Sequence, residues 1–155
     1  MKFTSTIFFA LLVGVLGYVW NPEELECVEE LKLIKAEIEI FDNPWDQPTP
    51  ENSKIFNDYL ECKWKKQGGL KDNSEIEWNK IYDITVDDVK QDMENSSDYD
   101  EVVYTEISKL LNKAINKCRE QNIQGDTAGQ TVAKVQNCVG QQLRELIEVR
   151  DFYYK

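Results

Sequence analysis

The side chains in this sequence whose type and spacing could do chemistry are its four cysteines: Cys27, Cys62, Cys118 and Cys138. None of them forms a C-x-x-C pair, and the chain contains no histidine. Zinc sites of the usual kinds need clustered cysteine and histidine ligands, and cysteine–histidine or Ser-His-Asp catalysis needs an imidazole. A metal-ligand or nucleophile role for Cys62 is therefore disfavoured, which leaves a buried thiol or half of a disulfide.

The first 17 residues decide between these two roles. "MKFTSTIFFALLVGVLG" has one basic residue, Lys2, ahead of an apolar run from Ile7 to Leu16. A run of about ten apolar residues matches a signal-peptide core and is shorter than the ~20 that span a bilayer. We predict a signal peptide over residues 1–17, the alternative being a membrane anchor, and a single secreted domain over residues 18–155. Oxidising maturation and an even cysteine count then indicate two disulfides.

Carboxylates are the other abundant chemical groups, with 29 acidic against 18 basic residues and a net charge of −11. This charge disfavours nucleic acid and anionic membranes as partners. Glu145, Glu148 and Asp151 recur every three residues beside Phe152, so on a helix they form either a solvated acidic face or a site for a cationic amine. Paired carboxylates could also serve glycoside hydrolysis, but in so acidic a chain such pairs arise by chance. No phosphate-binding glycine loop is present, and we predict no enzyme, no cofactor and no metal site.

Capping residues and apolar spacing predict the elements that must position these groups. Asn21 as N-cap and Pro22 start a helix through Leu25, Val28, Leu31 and Ile38, which ends before the proline-rich "DNPWDQPTP". Thr49 and Pro50 predict the start of a second helix, which runs to about Lys66 and stops at Gly68-Gly69.

Four further segments complete the pattern. Ser74 is the predicted N-cap of a short helix that carries Ile76, Trp78, Ile81 and Tyr82. Thr85 is the predicted N-cap of another helix, through Val86, Val89 and Met93. A long amphipathic helix is predicted from about Asp100 to Cys118, and a last one from about Ala128, before the tail "DFYYK". Between them "ENSSDYD" reads as an exposed loop with an N-glycosylation sequon at Asn95. Since no strand-like alternation is seen, the predicted class is all-α with about six helices.

Apolar and aromatic residues on these helices could line an internal ligand cavity, or could be ordinary core. The candidates are Phe56, Tyr59, Trp64, Trp78, Tyr82, Tyr104, Ile107, Leu111, Val135 and Val139.

The order and spacing of the cysteines resemble those of the insect odorant-binding proteins. Cys27 matches the first cysteine of that family, and Cys62 the second member of a C-x-x-x-C pair whose first position holds Asp58. Cys118 matches the fourth cysteine and Cys138 the sixth. Gly129 stands nine residues before Cys138, where the fifth is expected.

Loss of two partner positions together resembles the four-cysteine, "C-minus" subgroup. The segment "ECKWKKQGGLKDNSEIEW" also resembles the end of the third helix of that family. The resemblance implies the bridges Cys27–Cys62 and Cys118–Cys138, so that Cys62 is structural. The long spacer between Cys62 and Cys118 and the segment "LIEVRDFYY" resemble salivary odorant-binding-like proteins of blood-feeding flies, which sequester amines or eicosanoids.

Three functional hypotheses follow. The first is a secreted, non-catalytic carrier of a small hydrophobic ligand: an odorant, a pheromone or a fatty-acid-like lipid. The second is a salivary scavenger of host biogenic amines or eicosanoids, for which Glu148, Asp151 and Phe152 are the candidate amine contacts. The third is a secreted interaction protein with a filled or vestigial cavity, which acts through its surface and binds a protein partner at its acidic stretch from Asp87 to Glu101. None of the three involves nucleic acid or insertion into a membrane.

Overall fold

A computed structural model of the chain describes residues 20–41, 47–95 and 99–153, without the side chains of residues 92, 95 and 149–153. The predicted signal peptide, residues 1–17, lies outside the described residues. The described part contains six helices: α1 (Pro22–Glu30), α2 (Lys35–Glu39), α3 (Lys54–Lys66), α4 (Trp78–Asn95), α5 (Glu101–Arg119) and α6 (Ala128–Tyr153). Its only β pairing is an isolated antiparallel bridge between Leu70 and Ile76. The predicted all-α class is confirmed.

Helix α1 begins where predicted but ends earlier. The Asn21 side chain accepts from the Glu24 amide at 2.9 Å, and the Glu24 carboxylate accepts from the Asn21 amide at 3.0 Å. These reciprocal bonds form a capping box. The prediction of one helix to Ile38 was wrong, because Lys32 has a φ of 53° and the Leu33 amide donates to the Val28 carbonyl at 2.9 Å. This is a Schellman ending with lysine in the position that glycine usually takes.

The break after α1 changes which apolar side chains are buried. Val28 and, on α2, Ile38 are in the core, whereas Leu25 and Leu31 are each 38% exposed. The apolar spacing through Leu25 and Leu31 therefore did not mark a continuous buried stripe.

Helix α3 starts four residues after the predicted position. Its N-cap is Ser53, whose hydroxyl accepts from the Phe56 amide at 3.3 Å. Thr49 is not a cap because its backbone pairs with the Asn137 side chain, in bonds of 2.7 Å to the Thr49 amide and 3.0 Å to its carbonyl. The predicted stop is confirmed, since Gly68 has a φ of 77° and follows the last turn directly.

Helix α4 replaces two predicted short helices. Ser74 has a φ of 67° and its amide donates to the Lys71 carbonyl at 2.9 Å, so it lies in a turn and caps nothing. Thr85 lies inside the helix, where its hydroxyl donates to the Ile81 carbonyl at 2.7 Å. Buried residues recur across this point at helical spacing, and the helix therefore continues past Thr85.

Helices α5 and α6 follow the prediction closely. Asp100 caps α5 by accepting from the amides of Val102 and Val103 at 2.8 and 3.0 Å. Helix α6 starts at Ala128 but runs on through the predicted tail to Tyr153. It packs against both α3 and α5, while α4 packs on α5 and α1 on α3.

Two disulfides join these layers. Cys27 is bonded to Cys62, which ties α1 to α3, and Cys118 to Cys138, which ties α5 to α6. The bridges implied by the family resemblance are confirmed, and none of the four cysteines is free. Cys62 is therefore a structural residue. Since a disulfide restricts the unfolded chain, each bridge contributes about 2–4 kcal/mol in the usual case.

Candidate functional site

The predicted cavity residues fall into two groups in the structure. Seven of them lie in the core at 8% exposure or less: Phe56, Tyr59 and Trp64 on α3, Ile107 and Leu111 on α5, and Val135 and Val139 on α6. Trp78 and Tyr82 on α4 and Tyr104 on α5 are half-buried and pack against the same core. Three helices thus bring the first group into one apolar cluster, and the second group lies at its margin.

An aromatic row extends this cluster toward α2. The rings of Phe41 and Phe56 lie edge to face with centroids 6.0 Å apart, and those of Phe56 and Tyr59 are 5.7 Å apart. Aromatic pairs at these distances contribute beyond their buried area. Phe41 was not among the predicted residues, because it lies at the end of α2 and only the fold brings it to α3.

An ion pair is buried beside this row. The Lys63 ammonium is 2.5 Å from a Glu24 carboxylate oxygen, and the two side chains are 9% and 4% exposed. The same ammonium lies 5.9 Å from the centroid of the Tyr59 ring. A pair this deep is tolerated because each charge compensates the other after both leave water.

The spacing of residues along the sequence carries a signal for this pair. Lys63 follows Phe56 by seven residues and Tyr59 by four, so it lies on the apolar face of α3. Glu24 lies one turn before Cys27 and Val28, on the buried face of α1.

A second polar group connects the segment before α3 to α6. The Asn137 amide donates to the Thr49 carbonyl at 3.0 Å and to a Glu51 carboxylate oxygen at 2.8 Å. The Asn57 amide donates to the Glu51 carbonyl at 3.0 Å. Thr49 and Asn57 are 3% and 9% exposed, and these bonds are partly buried.

Two oxygens of this group have no hydrogen-bond partner within the described ranges. They are Thr49 Oγ1 and Asn57 Oδ1, and both are inaccessible to solvent. A buried polar atom without a partner costs about 1–3 kcal/mol. A hydrogen-bond donor brought in by a ligand would remove that cost. Neither residue was predicted as part of a binding site, since the long-range contacts that bury them leave no local pattern.

The acidic residues proposed for amine binding are not brought into this interior where the structure describes them. Glu148 is exposed on α6. Exposed Glu145 accepts from the amides of Gln141 and Gln142 at 3.0 and 3.1 Å. The side chains of Asp151, Phe152 and the sequon residue Asn95 lie outside the described residues. The described carboxylates thus form a solvated helix face.

The described residues offer neither a metal-binding cluster nor a helix that could span a membrane. Across residues 20–41, 47–95 and 99–153, no cluster of three or more histidine, cysteine, aspartate or glutamate side chains could hold a metal ion. In the same part of the chain, none of the helices combines the length and the apolarity needed to cross a bilayer.

Comparison with known proteins gives one match. A sequence model of the PBP/GOBP family matches residues 21–142. This range extends from the N-cap of α1 into α6 and contains all four cysteines. No match was found among the curated proteins or among the solved structures.

Proposed function

Because the chain belongs to the PBP/GOBP family, the insect odorant-binding protein family, we propose that it is a secreted, non-catalytic carrier of a small hydrophobic ligand. Members of this family are small soluble carriers of hydrophobic ligands, and they are typically secreted. The family match over residues 21–142 is the observation that carries this proposal. An odorant, a pheromone or a fatty-acid-like lipid are the ligand classes that suit it.

The arrangement of apolar side chains supports the proposal. A carrier needs an apolar wall and a few polar groups that orient the ligand. The cluster between α3, α5 and α6 supplies the wall. Half-buried Trp78, Tyr82 and Tyr104 combine core contacts with remaining exposed surface, so we place ligand entry beside them.

The buried polar groups are the candidates for orienting the ligand. Thr49 Oγ1 and Asn57 Oδ1 can accept hydrogen bonds, and the Lys63 ammonium carries a positive charge near the aromatic row. A ligand hydroxyl would donate its one hydrogen bond to one of these two oxygens. We therefore expect a long-chain alcohol to bind more tightly than the methyl ester of the same chain length, which offers no donor.

Calorimetric titration of the oxidised mature protein with fatty acids, alcohols and eicosanoids tests the function. We expect dissociation constants below about 50 μM, or roughly 6 kcal/mol of binding free energy, for at least one long-chain ligand. Tyr82→Ala should weaken that binding by up to about tenfold, since an aromatic contact contributes about 0.5–1.5 kcal/mol. Val102→Ala is the matched control, because Val102 is 73% exposed on α5.

A parallel titration with biogenic amines distinguishes the second hypothesis. Amine binding that disappears in Glu148→Ala/Asp151→Ala, while lipid binding persists, would favour a salivary scavenger. Lipid binding alone favours the general carrier. Absence of heat from both panels would overturn the carrier proposal and direct attention to a protein partner.

A further inference from the structure

Tyr99 stands in an acidic stretch of the chain. No lysine or arginine occurs between Lys90 and Lys109. The acidic residues in that interval are Asp92, Glu94, Asp98, Asp100, Glu101 and Glu106. In sequence, Tyr99 thus has an aspartate on each side and no cation within eight residues.

The backbone and side chain of Tyr99 are accessible. The side chain is 41% exposed, and the residue precedes α5 in non-helical backbone. Its neighbour Asp100 has φ −129° and ψ 121°, an extended conformation. The Tyr99 ring lies 6.0 Å from the Tyr104 ring, at an interplanar angle of 40°. The Tyr99 phenol is therefore accessible from solvent, in backbone that directly precedes the N-cap of α5.

Among the tyrosines whose side chains the structure describes, the others lack this combination. Tyr59 is fully buried, and Tyr82 and Tyr104 are half-buried inside helices. Tyr153 and Tyr154 lie in sequence between Arg150 and Lys155, and their side chains are not described. Tyr18 lies outside the described residues.

We propose that Tyr99 is a tyrosine sulfation site, modified while the chain passes through the secretory pathway. This proposal rests on the proposed secretion. A sulfotransferase binds a polyanionic donor, a nucleoside phosphosulfate, and so presents a positively charged cleft. Such a cleft attracts an acidic peptide and repels a basic one.

The chemical step is a group transfer without oxidation or reduction. The Tyr99 phenol oxygen attacks the sulfur of the donor, and a new O–S bond forms. The bridging S–O bond of the phosphoric–sulfuric anhydride breaks, and the nucleoside phosphate leaves with that electron pair. A base of the transferring enzyme takes the phenolic proton.

The product changes what the acidic stretch can bind. A sulfate ester keeps its negative charge throughout the physiological pH range and presents oxygen atoms that accept hydrogen bonds. Planar, charged donors such as arginine pair well with such groups. Modified Tyr99 would therefore favour an arginine-rich protein surface over a neutral one.

Mass spectrometry of the full chain secreted from insect cells tests the site. We expect an increment of about 80 Da on the peptide that contains Tyr99, the nominal mass that phosphorylation also adds. Resistance to phosphatase and loss in mild acid identify the increment as a sulfate ester. Tyr99→Phe should abolish the increment, and Tyr104→Phe, the neighbouring ring on α5, should retain it.

Two further forms of the protein control for glycosylation and for the leader sequence. Asn95→Gln removes the sequon four residues before Tyr99, so that a glycan cannot block the enzyme. A second expression vector carries a heterologous leader. If sulfation appears only with that leader, the secretion proposal fails and the Tyr99 site stands. Absence of the increment in all secreted forms, sensitivity to phosphatase, or its survival in Tyr99→Phe would overturn the proposal.

Discussion

Lys63 is the residue whose environment departs most from what its chemistry prefers. Lysine is rarely buried without a partner, and here its partner Glu24 is buried too. Glu24 also closes the capping box of α1. One carboxylate therefore links the start of α1 to the buried face of α3.

Removing one member of this ion pair should lower the free energy of unfolding. Lys63→Met leaves the Glu24 carboxylate buried without its ammonium, and we expect a loss of about 3–5 kcal/mol in unfolding free energy. Glu24→Gln keeps a side-chain oxygen for the cap and isolates the effect of the charge. The double variant should lose less than the sum of the two single losses.

Chemical denaturation of the oxidised protein measures these differences. Lys65→Met is the matched control on the same helix, because its ion pair with Glu61 is 37% and 33% exposed. Exposed pairs contribute less than about 1 kcal/mol. A cost for Lys63→Met no larger than that for Lys65→Met would contradict the structural role of the buried pair.

At the scale of elements, the approach of α6 to α3 decides the packing. A Cβ built on Gly129 would lie 2.0 Å from the Asn57 carbonyl oxygen. Gly129 and Asp58, the neighbour of Asn57, are the two positions where the family resemblance expects paired cysteines. The two helices therefore meet where that bridge would lie, and here glycine permits the contact.

Gly129→Ala is expected to destabilise the protein. Alanine gains about 1 kcal/mol of helix propensity over glycine, but the contact with backbone atoms cannot be relieved by a side-chain rotation. We expect a net loss of about 1–3 kcal/mol, measured by thermal or chemical unfolding. Gln141→Ala, an exposed change on the same helix, should stay within about 0.5 kcal/mol. A variant as stable as the parent would show that α6 can move away from α3.

At the scale of the whole molecule, ion pairs and the lack of histidine set the response to pH. The pKa of Glu75 is lowered by hydrogen bonds from Lys71 and Asn73. The pKa of Lys71 is raised by hydrogen bonds to Glu77 and Glu75. The pKa of Lys66 is raised by its bonds to Glu30 and Glu26, which join α3 to α1.

The directions of these pKa shifts predict that stability changes little over a middle range of pH. Glu75 stabilises the folded state at pH values above its ordinary pKa, and this stabilisation is lost as the pH falls through the lowered pKa. Lys66 and Lys71 stabilise the folded state at pH values below their ordinary pKa, and this stabilisation is lost as the pH rises through the raised pKa values. No side chain has an ordinary pKa near 6.5, since histidine is absent.

We therefore expect the melting temperature to be nearly constant from about pH 6 to 9 and to fall on either side. Glu75→Gln should remove part of the acid dependence, and the Glu75 resonance should titrate below the usual glutamate range by NMR. Ligand release driven by acid should likewise begin below about pH 5. A sharp stability step between pH 6 and 7 would contradict this account.

The sequence determined the features that depend on neighbours along the chain. The Asn21 cap, the Gly68 stop and the ends of α5 are local hydrogen-bond and dihedral preferences, and all three are found where predicted. The cysteine pattern predicted both bridges through the family resemblance, and the apolar periodicity predicted the all-α class. The number of helices also agreed, although the break at Lys32 adds one helix and the continuous α4 removes one.

Only the tertiary structure decided which local signals prevailed. Thr49 could have capped α3, but Asn137, which is 88 residues away in sequence, pairs with its backbone. Serine and threonine are favourable N-cap residues, yet Ser74 lies in a turn and Thr85 lies inside α4, whose buried face continues past it. The burial of Lys63, and of Thr49 and Asn57 with their unpartnered oxygens, likewise arises where distant segments meet. Local preferences are worth about 1 kcal/mol each, and burial and long-range hydrogen bonds together outweigh them.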